Sequence, residues 1–343
     1  MQRSSFKRVI PRLRGFRSFH PSHSRLSLTT DARDECAAFG SYSVILPDEP
    51  FAWGVSHIKP RHVPPHIPRP LYARRYRSGQ ETEDADIQEP YEGNGRIQLH
   101  TEEETKLRES AQLASKVREY AKDLVRPGVT TNSVDEAIHR FILAHSAYPS
   151  PLHYAGFPRS CCTSINNIVS HGIPDDRPLE DGDILNVDVT VYLNGYHGDT
   201  SQTFLVGEVD EPGRALVEVT NAALEAGIGA CSPGRPFRDI GRAIHDLIQQ
   251  TPGYSVCTSF AGHGIGKVFH RPPWIYHTLN EEPGTMLPGH CFTIEPCIVQ
   301  GPDPRVWIFP DGWTASTENC ARSAQAEHMI LVTESGAEVL TRE

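Results

Sequence analysis

The chain has 343 residues, with 43 acidic against 33 basic side chains and a formal net charge of −10. So acidic a protein is not expected to bind nucleic acid through a general electrostatic surface, and no apolar run reaches the roughly 18 residues of a membrane span. Its eight cysteines, at 36, 161, 162, 231, 257, 291, 297 and 320, form no CxxC pair, which gives no support to a zinc ribbon or a thioredoxin-like site and leaves most of them as small buried hydrophobes.

Residues 1–30 carry Arg3, Lys7, Arg8, Arg12, Arg14, Arg17 and Arg25, six serines and no acid. This composition, without a long apolar stretch, predicts an organellar transit peptide rather than a secretory signal; the alternative is a basic disordered tail. The arginine density points to the mitochondrial matrix, with a plastid as the second destination. Taking those seven positive charges from −10 leaves −17 on the remainder. Residues 31–95 read as an extension or linker. The stretch from His57 to Pro70 is Pro-rich and basic, and Gly79 to Glu92 is acidic and polar, so the backbone is expected to be extended in part. His57, His62 and His66 are better read as part of a spacer than as metal ligands, because proline forces extended backbone and no acid or cysteine joins them.

A folded domain is expected over 96–343, enough chain for one substantial core. Thr101-x-x-Glu104 is a capping-box pattern, and Leu107, Ala111, Ala114, Val117, Ala121 and Leu124 follow at helical spacing up to Pro127-Gly128. Ser133-x-x-Glu136 predicts the start of a second helix carrying Ala137, Ile138, Phe141 and Ile142. Strands follow, then helices near 211–230 and 236–250, then further strands. Helix pair, sheet, helix pair, sheet describes an α+β chain of two related halves, although no internal repeat is strong enough to prove a duplication.

Within the first sheet region, Val187, Val189, Val191 and Leu193 alternate with Asn186, Asp188, Thr190 and Tyr192, which predicts a half-buried strand with Asp188 on its polar face. Asn194-Gly195 is a two-residue hairpin turn. Pairing Leu193 with Tyr196 sets Asp199 opposite Thr190. Asp188 and Asp199 then become diagonal neighbours on one face, roughly 7–8 Å apart at the backbone. Two converging carboxylates repel unless a cation compensates, but this pair alone is equally consistent with a solvated hairpin face. Further along, Ala261-Gly-His263-Gly-Ile-Gly266 places a histidine in a Gly-rich turn where backbone can approach a ligand. Glu295 ends the apolar run Phe292-Thr-Ile, and Glu327 opens the run to Val332. Each acid alone reads best as a salt-bridged structural carboxylate. Together, Asp, Asp, His, Glu and Glu suit two hard-to-borderline divalent ions.

The ordered segments Ser170-His171-Gly-Ile-Pro-Asp175, Asp183 through Asp188, His197-Gly-Asp199-Thr, Gly262-His263-Gly-Ile-Gly, Phe269-His270, Phe292-Thr-Ile-Glu295-Pro and Ser323-Ala-Gln-Ala-Glu327-His resemble those of type I methionine aminopeptidases over roughly 96–343. The resemblance implies a pita-bread fold, two pseudo-symmetric αβ halves around a curved antiparallel sheet. It implies that Asp188, Asp199, His263, Glu295 and Glu327 bind two divalent metals (Co, Mn, Fe or Zn), with Asp199 and Glu327 shared between them. The short spacing from Glu295 to Glu327 favours type I over type II. It further implies that His171 and His270 contact the substrate backbone, that Glu295 also shuttles a proton, and that Tyr154, Phe157, Cys162, Phe269 and Trp313 line a pocket for the methionine side chain. Two departures stand out: Pro151 where bacterial relatives often have cysteine, and Ala326 where many have an aromatic residue.

The implied reaction is removal of the initiator methionine from N-terminal Met peptides with a small second residue, by a monomer passing near the ribosome and needing neither nucleic acid nor membrane insertion. An X-Pro aminopeptidase or prolidase of the same fold is the alternative, but the extension is too short and Pro-rich for the N-terminal domain of such enzymes. A catalytically dead binding module is disfavoured because no ligand of the set is missing.

Overall fold

The computed structural model describes residues 39–77 and 93–342. The expected transit peptide at 1–30 and the acidic stretch 79–92 lie outside the described residues. A short helix, α1 (Leu71–Arg77), precedes a first half made of α2 (Glu102–Leu124), α3 (Thr131–Ala144), β1 (Tyr148–Pro149), β2 (Cys162–Ile165), β3 (Ile168–Ser170), β4 (Ile184–Leu193) and β5 (Tyr196–Leu205). The second half opens with α4 (Glu211–Gly229) and α5 (Arg238–Gln249). Its strands are β6 (Tyr254–Val256), β7 (Gly262–Gly264), β8 (Arg271–Ile275), β9 (Cys291–Ile294), β10 (Cys297–Gln300), β11 (Val306–Ile308), β12 (Ala315–Thr317), β13 (Ser323–Gln325), β14 (His328–Val332) and β15 (Ala337–Val339).

Helix α2 forms where the apolar spacing placed it, and Leu107, Ala111, Ala114, Val117 and Ala121 are all buried. Its cap is a variant of the expected box. The Thr101 side chain accepts from Glu103 N, while Glu104 accepts from His100 N at 2.6 Å, one residue earlier than the standard pairing. Helix α3 starts earlier than Ser133: Thr130 is the N-cap and accepts from Ser133 N at 3.1 Å. The Ser133/Glu136 pattern is displaced because Thr130 satisfies the free donor first. Asp210 caps α4 by accepting from Gly213 N at 3.0 Å.

Among the described residues all strand pairs are antiparallel and fall into four sheets, ordered β1-β4-β2 with β5 on β4, β13-β10-β6, β11-β12-β3 and β15-β14-β9-β7-β8. The β4–β5 hairpin has Leu193 opposite Tyr196, Thr190 opposite Asp199 and Asp188 opposite Ser201. Val187, Val189 and Val191 pack in one core with Val117, Ala121, Ile138 and Ile142 of α2 and α3. The second half has its own core, with Leu216, Leu224, Ile240, Ile244, Ile294, Ile298 and Ile330. Each such buried aliphatic side chain contributes about 1.5–3 kcal/mol.

The polar face of β4 differs from the half-buried expectation. Asn186 and Thr190 are buried, because the second half lies over them. Asn186 Nδ2 donates to Gln325 O at 2.9 Å, Thr203 Oγ1 donates to the same carbonyl at 2.7 Å, and Ser201 bridges to Glu327. Alternation therefore marks an apolar core on one side and a polar interior between the halves on the other.

The described part of the extension, from residue 39 to 77, lies along the domain. Phe39 O accepts from Arg322 Nη2 at 2.8 Å, Ile45 N donates to Asn167 Oδ1 at 2.7 Å, and Val63, Ile67 and Ala73 join Tyr148 and Leu152 in a core of their own. Proline removes backbone donors but keeps carbonyls, and domain side chains donate to the extension's carbonyls at Ile45 O (from Asn167 Nδ2, 2.9 Å) and Lys59 O (from Arg159 Nη1, 3.0 Å).

Candidate metal centre and substrate pocket

The seam between the halves gathers the acids. Asp188 sits in β4 and Asp199 in β5; Glu295 follows the last residue of β9, and Glu327 precedes β14 on the Ser201 bridge. His263 is the central residue of β7. Ligand-type atoms of Asp199, His263 and Glu327 all lie within 4.8 Å of one another. His263 Nε2 is 3.7 Å from Asp199 Oδ2 and 3.6 Å from Glu295 Oε1. Asp188 acts electrostatically on Asp199, Glu295 and Glu327. The fold thus gathers Asp199, His263, Glu295 and Glu327, with Asp188 on the adjacent position of the β4–β5 hairpin.

The glycines around His263 serve a different purpose from the one expected of a Gly-rich turn. His263 lies on a strand paired with β8 and β9, and a Cβ on Gly264 would stand 2.3 Å from Pro272 O. Glycine there admits the protein's own neighbouring backbone. Gly198, beside Asp199, is equally constrained, since a Cβ would lie 2.2 Å from Ser110 O.

Burial dominates the electrostatics. It raises the Asp188 carboxyl from 3.8 to about 7 and that of Glu295 from 4.5 to about 8, Asp188 adding repulsion at Glu295. Asp199 and Glu327 rise well above the ordinary carboxylate range through burial first, then repulsion from Asp188 and Asp199 respectively. Thr190 Oγ1 donating to Asp199 Oδ1 at 2.7 Å, and Thr293 Oγ1 donating to Glu295 Oε1 at 2.8 Å, oppose that rise. Among the described residues no lysine or arginine forms an ion pair with any of the four acids. Burial lowers His263 to about 4, so at neutral pH it is the neutral imidazole that binds metals. Four carboxylates and one imidazole, uncompensated by protein cations, fit two divalent ions in both charge and donor type.

The remaining site residues border this cluster. His270 has its ring 4.1 Å from His263 and 4.0 Å from Phe269, and its Nδ1 is buried without a hydrogen-bond partner. His171 follows β3 with φ +58°, a strained conformation for a non-glycine residue, and lies edge-on to Phe260 at 5.2 Å and Trp313 at 6.0 Å. Burial lowers His171 to about 4; His270 falls well below its ordinary value through burial and then the neighbouring His263, His171 and His197. Both are neutral hydrogen-bonding groups at pH 7. Tyr154 packs on Phe269 and His270 at 4.9 Å each, and Phe157 meets Trp313 at 5.1 Å. Cys162 stands opposite Asp188 in the β2–β4 register. Burial, then Asp188 and Asp199, push its thiol well above the ordinary range, so it is no thiolate nucleophile. Pro151 O accepts from Tyr154 N at 3.0 Å, while Ala326 is buried in the core of the second half.

Several groups that orient the ligands were not singled out from the sequence. Thr293 Oγ1 donates to Glu295 and accepts from His263 N at 3.0 Å; Gln325 Nε2 donates to Glu295 Oε2 at 3.3 Å; His277 Nε2 accepts from Glu295 N at 3.0 Å. Period-2 spacing carried part of this signal: Thr190 shares the face of Asp188, and Thr293 that of Glu295. Nothing local to His277 points to it. His197, within a quoted segment but given no role, is buried, takes Ser150 Oγ at 2.8 Å on Nδ1 and stacks on Phe269 at 5.1 Å.

The model of metallopeptidase family M24 matches residues 105–334. Methionine aminopeptidase 1D, chloroplastic/mitochondrial, of Arabidopsis thaliana is 48% identical over 289 residues, covering 83% of this chain and 78% of that protein. Methionine aminopeptidase 1D, mitochondrial, of Homo sapiens is 45% identical over 303 residues, covering 88% and 84% respectively. The crystal structure of methionine aminopeptidase from Rickettsia prowazekii superposes with a TM-score of 0.69 at 44% identity, over 72% of this chain and 100% of that one.

Proposed function

Since the chain belongs to metallopeptidase family M24, with the pita-bread fold, we infer that it is a methionine aminopeptidase, a hydrolase that uses a dinuclear divalent metal site to remove the initiator methionine. The observation that carries the site assignment is the convergence of Asp188, Asp199, His263, Glu295 and Glu327 beside an aromatic pocket. These five would hold the metals, which supply Lewis-acid activation of water and of the scissile carbonyl.

The protein's own groups account for the rest. The Met side chain enters between Tyr154, Phe157, Cys162, Phe269 and Trp313, where sulfur–aromatic contact and an uncharged lining favour it. His171 and His270, held neutral by burial, donate hydrogen bonds to the substrate backbone and to the oxygen on which charge develops. Glu295, held by Thr293 Oγ1 and Gln325 Nε2 beside the other ligands, would take and return the proton at its carboxylate.

The enzyme works in an organelle, as the names of its relatives support. Within that, residues 1–30 act as a transit peptide to the mitochondrial matrix, a plastid being the alternative; residues 96–343 form the catalytic unit, behind an extension at 31–95. The same reading makes the enzyme a monomer that meets N-terminal Met peptides close to the ribosome. No helix among the described residues is long and apolar enough to cross a membrane.

An X-Pro peptidase of the same fold has less support, because the relatives at 45–48% identity are named methionine aminopeptidases. Metal-reconstituted protein should release Met from Met-Ala-Ser and lose activity on chelation. Cleavage of X-Pro peptides with Met-Ala-Ser untouched would overturn the reading.

A further inference from the structure

The extension reaches the back of the pocket at three separate points. Gly54 N donates to Pro310 O at 2.9 Å, in the turn closed by Phe309 N to Thr314 O that carries Trp313. Arg61 Nε donates to Asp135 Oδ2 at 2.7 Å, and Asp135 Oδ1 accepts from Ser160 N at 2.6 Å and Cys161 N at 3.1 Å, the residues leading into Cys162. His139 repeats this link: its Nε2 donates to His62 O at 2.9 Å and its Nδ1 is 2.7 Å from Ser160 Oγ. Tyr72 Oη donates to Ser150 O at 2.5 Å, and its ring meets Tyr154 edge-on at 5.1 Å.

These contacts are specific. The Asp135 side chain is fully buried and that of Arg61 only 20% exposed, so the pair is shielded from solvent. Arg61 is held in turn by Asn132, to whose backbone and side-chain oxygens Nη2 donates at 2.7 and 2.6 Å. An arginine whose guanidinium is shared between Asn132 and Asp135 holds Asp135 in one orientation, and Asp135 then holds the strand entry that presents Cys162 across from Asp188. Tyr72 limits the swing of Tyr154, which packs on His270.

Building on the aminopeptidase reading, we propose that the extension sets the shape of the pocket for the first substrate residue, with Arg61 and Tyr72 as its positioning residues. Neither touches substrate; they act through Cys162 and Tyr154. Loss of Arg61 leaves the metal ligands in place but frees the 159–162 entry, so binding of the Met side chain suffers more than turnover.

The test compares the full wild-type chain, loaded with Mn(II), with Arg61→Ala, Arg61→Lys and Tyr72→Phe. Kinetics on Met-Ala-Ser and norleucine-Ala-Ser are measured, along with peptide-resolved alkylation of Cys162. Arg61→Ala should raise KM for Met-Ala-Ser about tenfold with kcat within about twofold, as expected when side-chain binding shared by the ground and transition states is lost. Its preference for Met over norleucine should narrow, and Cys162 should alkylate several-fold faster. Arg61→Lys should recover part of each effect, and Tyr72→Phe should shift KM in the same direction by less. A lowered melting temperature with KM, side-chain preference and Cys162 alkylation all unchanged would show that the extension only stabilises the fold. Should Arg61→Ala not fold, the other two variants decide the matter by the same readouts. Wild-type protein inert toward Met-Ala-Ser would sink the aminopeptidase reading instead, and the alkylation rates would still decide whether Arg61 holds Cys162.

Discussion

Replacing Asp188 with asparagine should stabilise the metal-free protein while weakening metal-linked stability. Burial raises this carboxyl from 3.8 to about 7. With each unit near 1.4 kcal/mol, ionising it in the folded protein costs about 4 kcal/mol. The folded pKa lies above the unfolded one, so the folded state holds the proton longer. Stability of metal-free protein therefore falls as pH rises from about 4 through about 7, and the Asp188 contribution is flat above that. Asparagine cannot ionise, but its buried amide costs roughly 1–3 kcal/mol where donors go unpaired. The balance at pH 8 is a gain of about 1–3 kcal/mol, and at pH 5, where the native carboxyl is already protonated, that gain disappears. Metal at a hundred times its Kd should stabilise the wild type by about 2.7 kcal/mol per site and D188N by much less. Urea unfolding of chelator-treated and metal-loaded proteins at both pH values measures all four numbers. Metal-free D188N less stable than wild type at pH 8, or an undiminished response to metal, would refute the argument that uncompensated acids await a cation.

The other predictions follow from the same site. His263→Ala should lose bound metal, whereas His171→Ala and His270→Ala should keep it and lose turnover on the order of 10²–10⁴-fold; metal stoichiometry beside kcat separates the two classes. Thr293→Val removes the hydroxyl that donates to Glu295 and accepts from His263 N, so metal affinity should fall about 10–100-fold, read by titration with a competing chelator. Residues 1–30 fused to a fluorescent reporter should carry it into mitochondria, and a fusion lacking them should stay outside; fractionation distinguishes these from a plastid destination.

What could be read along the chain was whatever neighbours in sequence decide. The β4–β5 register follows from Asn194-Gly195 and strict alternation, because a two-residue turn leaves one pairing that keeps the valines on the core side. Helix α2 follows from the spacing of Leu107 to Ala121, and Asp188 and Asp199 could be placed on a common face by counting. The environment of that face could not. Both sides of β4 are buried only because the second half, more than a hundred residues later, closes over the polar one through Gln325 and Glu327. His263 read as part of a turn because β8 and β9, which make it a strand, pair with it from a distance. The N-cap of α3 moved to Thr130, since short capping patterns compete locally and Thr130 stands nearer the free donor. Arg61 and Asp135, 74 residues apart, meet only through tertiary packing, and composition alone marks the segment around Arg61 as a spacer. The raised carboxyls and lowered histidines belong wholly to the tertiary structure. Their types were visible in the sequence, but the shift comes first from removal of water, and only the closed seam between the halves does that.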